Sequence, residues 1–255
     1  MQRKWMLAGW LFVFGVVLGA NSTWAASVAR QADVTSVAGQ VEWLKSGEAT
    51  WQAASAGQKL ESGDKVRTGE SSEAVLTLDD GSKIQLFAGS EFAIQTMTKD
   101  SAKDELESVL AIMKGKLRAD VTPLKGGSKF EIETPAVVAA VRGTTLTLTI
   151  NPDGTVSVTS DSGAVELDHR GGNHFTAGLE NGDEATVDYN PTTGVVKVTD
   201  HSGNFDVKGP DGEVKSLKEG DTVIFGQGPA TFVPGGLGPS TDAPVAETQN
   251  EPASK

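Results

Sequence analysis

Hydrophobic and polar residues alternate along most of this 255-residue chain, and turn-forming residues close each short run. Residues 73–87, EAVLTLDDGSKIQLF, show the pattern most clearly. A period of two is typical of strands with one buried face, and the Asp-Asp-Gly break at 79–81 favours a hairpin turn. The residues predicted to share the buried face are Ala74, Leu76, Leu78, Ile84 and Leu86. The pattern therefore predicts an all-β fold.

Two further Asp-Gly turns repeat this arrangement. Residues 152–154 separate the alternating runs 146–150 and 156–158, and residues 209–214 read GPDGEV. Asp-Gly pairs also occur in calcium loops, but the spaced acidic ladder that such a loop needs is missing from both segments. We therefore interpret them as hairpin turns.

One segment allows two interpretations. In residues 99–121, KDSAKDELESVLAIMKGKLRADV, several apolar residues fall at helical spacing. Gly115 instead allows a hairpin, with Leu110 and Ile112 at alternate positions before it and Leu117, Ala119 and Val121 at alternate positions after it. We expect the hairpin, preceded by a charged loop at residues 98–106.

A short motif, Leu-x-x-Gly-Asp, occurs three times, at residues 60–64, 179–183 and 217–221. Glycine permits a positive φ and the leucine can plug the layer below, so we interpret the motif as a structural corner. Stacked units of this kind predict a short β-solenoid or a rolled sandwich of hairpins, since neighbouring repeats bury one another's apolar edges. Three ligand sites built on the aspartates are the alternative.

Both ends of the chain depart from the strand pattern. Residues 1–25 are predicted to be a signal peptide, because Arg3 and Lys4 precede an apolar stretch that is short for a membrane span. Residues 23–25 offer a small-x-small cleavage site, and an uncleaved anchor is the alternative. We expect no membrane span after this segment. Residues 233–255, rich in Pro, Gly and small polar residues, are predicted to be disordered.

The composition argues against several classes of function. The chain has no cysteine, so it forms neither disulfides nor an acylated lipoprotein terminus. A formal net charge of −12 argues against nucleic acid as a partner, because phosphates need cations for neutralisation. His169, His174 and His201 lie in no metal-binding spacing, and a Gly-x-Ser-x-Gly elbow is absent. We therefore expect a non-catalytic protein with no cofactor and no metal site.

Two segments resemble the FecR domain family. They are residues 63–86, GDKVRTGESSEAVLTLDDGSKIQL, and residues 130–150, FEIETPAVVAAVRGTTLTLTI. The motif residues that carry the resemblance are Arg67, Thr68, Gly69, Thr134, Pro135, Arg142, Gly143 and Thr144. The resemblance covers residues 33–167 and implies an all-β, solenoid-like domain. Residues 168–232 are then predicted to form a second, smaller β repeat lobe.

The FecR family is best known as the periplasmic part of regulators that relay the state of an outer-membrane receptor to a sigma factor. Such regulators carry a cytoplasmic segment and a membrane span before the domain, whereas here a predicted signal peptide precedes it almost directly. The resemblance therefore implies a stand-alone bacterial protein, periplasmic or secreted, that binds or senses an envelope or outer-membrane protein. The sequence leaves its oligomeric state open.

A structural or adhesive envelope component that binds glycan or peptidoglycan is the second hypothesis. Such a protein would present aromatic side chains for stacking. The predicted mature chain offers only Trp43 and Trp51 for a binding platform. The alternative role of both tryptophans is to fill the core.

Arg142 ends a run of small apolar residues. Residues before proline are pushed out of helical conformation, so an extended segment is expected to start at Thr134 and Pro135. An arginine at the end of a buried strand must be paired, because an unpaired buried charge is costly. We therefore expect Arg142 to be a buried structural clamp on a carboxylate, such as Asp64 or Glu73, with ligand contact as the alternative.

Overall fold

A computed structural model describes residues 27–169, 171, 173–226 and 228–235 of the chain. The predicted signal peptide and residues 236–255 of the predicted tail lie outside this described part. All regular secondary structure in the described residues is β-strand, which confirms the all-β prediction. No helix long and apolar enough to cross a membrane occurs among these residues.

The strands follow the alternating pattern of the sequence, and most place one face in a common core. In chain order they are β1 (Ser27–Ala29), β2 (Ala32–Ala38), β3 (Val41–Leu44), β4 (Gln52–Ala53), β5 (Lys59–Leu60), β6 (Lys65–Thr68), β7 (Glu73–Leu78), β8 (Lys83–Leu86), β9 (Glu91–Asp100), β10 (Glu105–Asp120), β11 (Lys129–Glu133), β12 (Val138–Val141), β13 (Thr145–Ile150), β14 (Val156–Ser162), β15 (Val165–His169), β16 (Phe175–Leu179), β17 (Glu184–Asn190), β18 (Val195–Ser202), β19 (Asn204–Lys208), β20 (Val214–Lys218), β21 (Thr222–Gly226) and β22 (Gly228–Val233).

These strands form two sheets that share β10. Sheet A has the order β4–β3–β6–β9–β10–β11–β12–β15–β16–β19–β20, and β1 pairs with the C-terminal end of β9. Sheet B has the order β5–β2–β7–β8–β10–β13–β14–β17–β18–β21–β22. From β13 onward the chain places one hairpin in sheet B and the next in sheet A, in alternation. This arrangement is the predicted rolled sandwich of hairpins.

All three predicted Asp-Gly hairpins are confirmed. They join β7 to β8, β13 to β14 and β19 to β20. The five residues assigned to the buried face of the first hairpin are each at most 3% exposed. The alternation of side chains along these strands therefore predicted both their pairing and their orientation correctly.

Residues 99–121 form neither the expected hairpin nor a helix. β10 is one continuous strand whose first part pairs with β9 and β11. In the other sheet, residues 115–120 pair with β13 and residues 117–120 also pair with β8. The strand passes between the sheets at Gly115, where φ is +85°. The expected charged loop at 98–106 is the end of β9, a short turn and the start of β10. A bent strand and a hairpin both place side chains on alternate faces before and after a central glycine. The sequence pattern therefore does not distinguish the two structures, which is why the hairpin was predicted.

The Leu-x-x-Gly-Asp motif is confirmed as a structural corner where the chain passes between the sheets. Its three leucines are fully buried. The carboxylates of Asp64, Asp183 and Asp221 each accept a hydrogen bond from the backbone amide three residues earlier, at 2.9, 2.7 and 3.0 Å. Each aspartate therefore caps its own turn.

The two predicted lobes share one hydrophobic core, and both sheets continue from the first into the second. The predicted boundary after residue 167 falls inside β15. Val233, the first residue of the predicted tail, ends β22. The division into lobes remains a prediction that rests on the family resemblance.

Candidate binding groove on sheet A

A groove of about 590 Å³ crosses the outer face of sheet A. Residues of β11, β12, β15, β16, β19 and β20 line it, together with Arg142, which follows β12, and Ala164, which precedes β15. It is formed entirely by neighbouring strands of one sheet, so the strand register decides which side chains meet there.

The middle of the groove is a slot above Gly178. Ala140 lies opposite Glu166, Glu166 lies opposite Gly178, and Gly178 lies opposite Asp206. A Cβ atom added to Gly178 would meet nothing within 4 Å. Two carboxylate-bearing side chains therefore flank an open strip of backbone.

Arg142 lies in this groove and not in the core. Strand alternation directs Val141 into the core, so the next residue faces outward and Arg142 is exposed. Within the described residues its guanidinium makes no ion pair and no side-chain hydrogen bond. The prediction of a buried, paired clamp is therefore wrong.

The carboxylates proposed as partners for Arg142 are engaged elsewhere. Asp64 accepts hydrogen bonds from the backbone amides of Ser46 and Glu61, at 2.8 and 2.9 Å. Glu73 accepts a hydrogen bond from Gln85 on the neighbouring strand, at 2.8 Å. Neither carboxylate belongs to the groove.

Two other cations line the groove. Lys129 pairs with Glu131 at 3.0 Å, so its charge is partly neutralised. Lys208, on β19, makes no ion pair among the residues that the structure describes. Asp206 accepts a hydrogen bond from the Ser216 hydroxyl at 2.5 Å. Arg142 and Lys208 are thus two cations of the groove whose side chains are free to meet a ligand.

The residues after Arg142 hold the fold together. The hydroxyl of Thr144 is buried and donates to the carbonyl of Ala164 at 2.9 Å, and the Thr144 carbonyl accepts from the amide of Val121 at 3.0 Å. A Cβ atom at Gly143 would lie 2.8 Å from the Cα of Pro123. This corner fixes the end of β12 and therefore the position of Arg142.

Thr134 and Pro135 form a tight turn between β11 and β12 and do not begin an extended segment. The Thr134 hydroxyl donates to the carbonyl of Val137 at 2.7 Å and accepts from the Val137 amide at 2.9 Å. The extended strand starts at Val138. The turn brings β11 and β12 side by side in the groove wall.

A similar corner occurs at the end of β6, in the N-terminal part of the sandwich. It is formed by Arg67, Thr68 and Gly69. Thr68 is buried, donates to the carbonyl of Phe87 at 2.6 Å and accepts from the amide of Ser90 at 2.9 Å. The Gly69 amide donates to the carbonyl of Gln40 at 2.8 Å. These bonds stabilise the corner.

Trp43 and Trp51 are both half-buried and have different surroundings. Trp43 packs against the hydrophobic core. Trp51 lies beneath the guanidinium of Arg67, which is 4.3 Å from the ring centroid and pairs with Glu42 at 2.7 Å. The described residues show no ring-to-ring contact between the two tryptophans.

Two of the three histidines lie close together and the third lies apart. The Nδ1 atom of His174 is 2.9 Å from the carbonyl oxygen of His169 and 3.1 Å from the Asp168 carboxylate. His169 is buried, contacts the carbonyl of Ala136 at 2.5 Å and packs against Phe175, whereas His201 bonds to Thr186 at 2.7 Å on the other sheet. No cluster of at least three His, Asp or Glu residues suited to a metal occurs in the described ranges.

The sequence analysis missed Glu166, Gly178 and Lys208 as site residues. The polar positions of each strand could have been assigned to its outer face. Which outer positions become neighbours depends on the order β12–β15–β16–β19, and up to 24 residues intervene between adjacent strands of that series. The groove was therefore not predictable without the strand order of the folded chain.

The first part of the chain matches a known protein family. Residues 64–166 match the family model described as FecR protein. This segment of the chain is therefore similar to a FecR domain. The matched residues include β11, β12 and the start of β15 in the groove, whereas β16, β19 and β20 lie beyond them.

Two crystal structures of a candidate anti-sigma factor from Parabacteroides distasonis, at 1.65 and 2.50 Å resolution, are similar to part of this chain. Each shares 16% sequence identity with it at a TM-score of 0.41. Each match covers 61% of this chain and 59% of the other chain. No curated protein matches the chain significantly.

Proposed function

We propose that this protein is an exported, non-catalytic FecR-type module with a regulatory or sensing role, and that it binds an extended segment of an envelope protein in the groove on sheet A. The observation that carries the proposal is Arg142. Its guanidinium is exposed and free of acidic partners within the described part of the chain, and it lies beside an open slot. An arginine held in this way is suited to recognition of a carboxylate.

The positions of the two free cations define the chemistry of the partner. Ala140, Glu166, Gly178 and Asp206 form a row across four neighbouring strands. Arg142, which directly follows the first strand, lies two residues to one side of this row, and Lys208 lies two residues to the other side on the fourth. The two cations are therefore three strand spacings apart across the sheet and four residues apart along it. With strands about 4.8 Å apart and a rise of about 3.3 Å per residue, the two backbone positions are roughly 20 Å apart. An extended chain covers this distance in about six residues. The partner segment therefore carries acidic side chains about six residues apart.

The setting of this interaction is the cell envelope. A signal peptide at residues 1–25 would deliver the protein to the periplasm or the medium, where an envelope or outer-membrane protein is the partner. Glycan binding on Trp43 and Trp51 is less favoured, because Trp43 packs against the core and Trp51 is covered by Arg67.

The proposal predicts that Arg142 matters for binding and not for folding. Arg142→Ala and Arg142→Glu should each reduce the amount of partner retained from an envelope extract at least about tenfold, since a charge-assisted contact at the centre of an interface commonly exceeds about 1.4 kcal/mol. The free energy of unfolding in urea should stay within about 0.5 kcal/mol of the parent, as for other exposed residues.

Lys197→Glu is the matched control, because Lys197 is an exposed lysine on sheet B. Reversing its charge changes the net charge as Arg142→Glu does but leaves the groove intact. Equal retention of the partner by Arg142→Glu and the parent would exclude the groove as the binding site. Equal losses for Arg142→Glu and Lys197→Glu would instead indicate a non-specific charge effect.

A further inference from the structure

The C-terminal layers contain two successive copies of one corner. Residues 156–163 read VSVTSDSG and residues 196–203 read VKVTDHSG, and each copy ends a strand of sheet B. The valines of each copy point into the core, followed by Ser160 in the first copy and Asp200 in the second. Both of these polar residues are completely buried.

The backbone contacts of the two copies are the same. The amide of Ser160 donates to the carbonyl of Asp183 at 2.9 Å, and the amide of Asp200 donates to the carbonyl of Asp221 at 3.0 Å. In each case the glycine of the neighbouring Leu-x-x-Gly-Asp corner donates back, at 2.7 and 2.9 Å. Ser160 and Asp200 are therefore equivalent positions, and only their side chains differ.

The side chain of Ser160 is satisfied and that of Asp200 is not. The Ser160 hydroxyl donates to the carbonyl of Gly163, at 3.0 Å. Neither carboxylate oxygen of Asp200 makes a hydrogen bond within the usual geometric limits. An ionised carboxylate cannot donate, whereas a protonated one can donate as Ser160 does. The corner therefore suits the protonated form of Asp200.

Negative charge approaches Asp200 from both neighbouring strands. The carboxylate of Asp183, before β17, packs so closely against Gly203 that it leaves no room for a side chain there. Asp221 lies before β21. Glu184 on β17 and His201 on β18 are the other titratable groups next to this corner.

These surroundings oppose ionisation of Asp200. Burial and, after it, the charges of Asp183 and Asp221 raise the pKa of Asp200 to about 6. The nearby N–H group of Ser202 and the positive charge of protonated His201 favour the ionised form and lower the pKa of Asp200 in part.

We propose that Asp200 is a proton-operated latch on the C-terminal layer. When its carboxyl group is protonated, the corner between β18 and β19 closes as it does around Ser160, and β21 is held firmly against β18. When the group is ionised, three buried carboxylates repel one another and β21 and β22 detach more readily. The latch responds to protons and does not depend on the partner of the groove.

The sign of the response follows from proton binding. Between about pH 4 and pH 6 the folded chain holds a proton on Asp200 that the unfolded chain has lost, so acidification stabilises the fold. This stabilisation is lost as the pH rises through about 6. Ordinary carboxylates that are paired in the fold give the opposite slope, which makes the contribution of Asp200 separable.

Urea unfolding of the full chain at about pH 5 and about pH 7.5 tests the latch. From pH 5 to pH 7.5, the folding equilibrium constant of the parent should fall about tenfold further than those of Asp200→Ser and Asp200→Asn. Asp188→Asn removes an exposed carboxylate from sheet B and should keep the parental response. Ser160→Asp adds a buried carboxyl group to the equivalent corner at residues 156–163 and should increase the dependence of the folding equilibrium constant on pH.

Two independent measurements keep the test decisive if a variant does not fold. The carboxyl carbon of Asp200, followed by NMR in the parent, should titrate near pH 6. Amide exchange, corrected for its intrinsic pH dependence, should be faster at pH 7.5 in β21 and β22 and unchanged in β7 and β8. Titration of Asp200 below about pH 5, or an unaltered pH response in Asp200→Ser, would overturn the proposal.

Discussion

Replacing Arg30 with alanine should lower the free energy of unfolding by about 3 to 5 kcal/mol, the range typical of a broken buried ion pair. Arg30 is 4% exposed and lies between β1 and β2. Its guanidinium contacts Asp79 at 2.6 Å and Asp80 at 3.2 Å, and donates to Ser108 at 2.8 Å. Removing it leaves the buried carboxylate of Asp80 without its counter-charge. Urea unfolding at neutral pH measures the loss.

Two variants make this result specific. Arg30→Lys should recover only part of the stability, because an ammonium group lacks the planar fork that reaches two carboxylates and a hydroxyl. Arg67→Ala breaks an exposed pair with Glu42 and should cost less than about 1 kcal/mol. If Arg30→Ala is no more destabilised than Arg67→Ala, Arg30 does not secure the first layers of the sandwich.

Gly115→Ala should destabilise the protein by roughly 3 kcal/mol or more, because it combines an unfavourable positive φ with overpacking. Gly115 has φ +85° at the point where β10 passes between the sheets. A Cβ atom there would lie 2.5 Å from the Cα of Ser90. The contact is with backbone, so the strand itself must move.

Gly154→Ala is the matched control for Gly115→Ala. Gly154 has nearly the same backbone angle, φ +89°, but a Cβ atom there would meet nothing within 4 Å. It should therefore cost only the penalty for positive φ, about 1 to 2 kcal/mol. Similar losses for the two variants in thermal or urea unfolding would mean that the bend of β10 is not tightly packed.

Local patterns predicted the parts of the fold that depend on neighbouring residues. An Asp-Gly pair between alternating runs specifies a hairpin without reference to the rest of the chain, and all three such predictions are confirmed. The corner motif was equally predictable, since its aspartate bonds within its own turn. These features need no knowledge of which strands lie side by side.

Features that depend on distant parts of the chain were not predictable in the same way. The two halves of β10 look like a hairpin until their partners in two different sheets are known. The structural arginine was misassigned for the same reason. Arg30 is the buried arginine, and the side chains that it bonds lie 49 and 78 residues away in the sequence. Arg142 follows such a run and is nevertheless exposed by strand alternation.

The most direct test of the proposed function places a photo-crosslinking residue, p-benzoylphenylalanine, at Gly178 in cells that naturally produce the protein. A side chain fits there, because the position is open and its φ lies outside the left-handed region. We expect a discrete protein adduct that is at least about tenfold weaker when Arg142→Glu is added. We expect no such adduct from the same residue at Lys197. The crosslinked peptide should carry acidic residues about six positions apart. Absence of an adduct at Gly178, or an adduct that forms equally from Lys197 and ignores Arg142→Glu, would contradict binding in the groove.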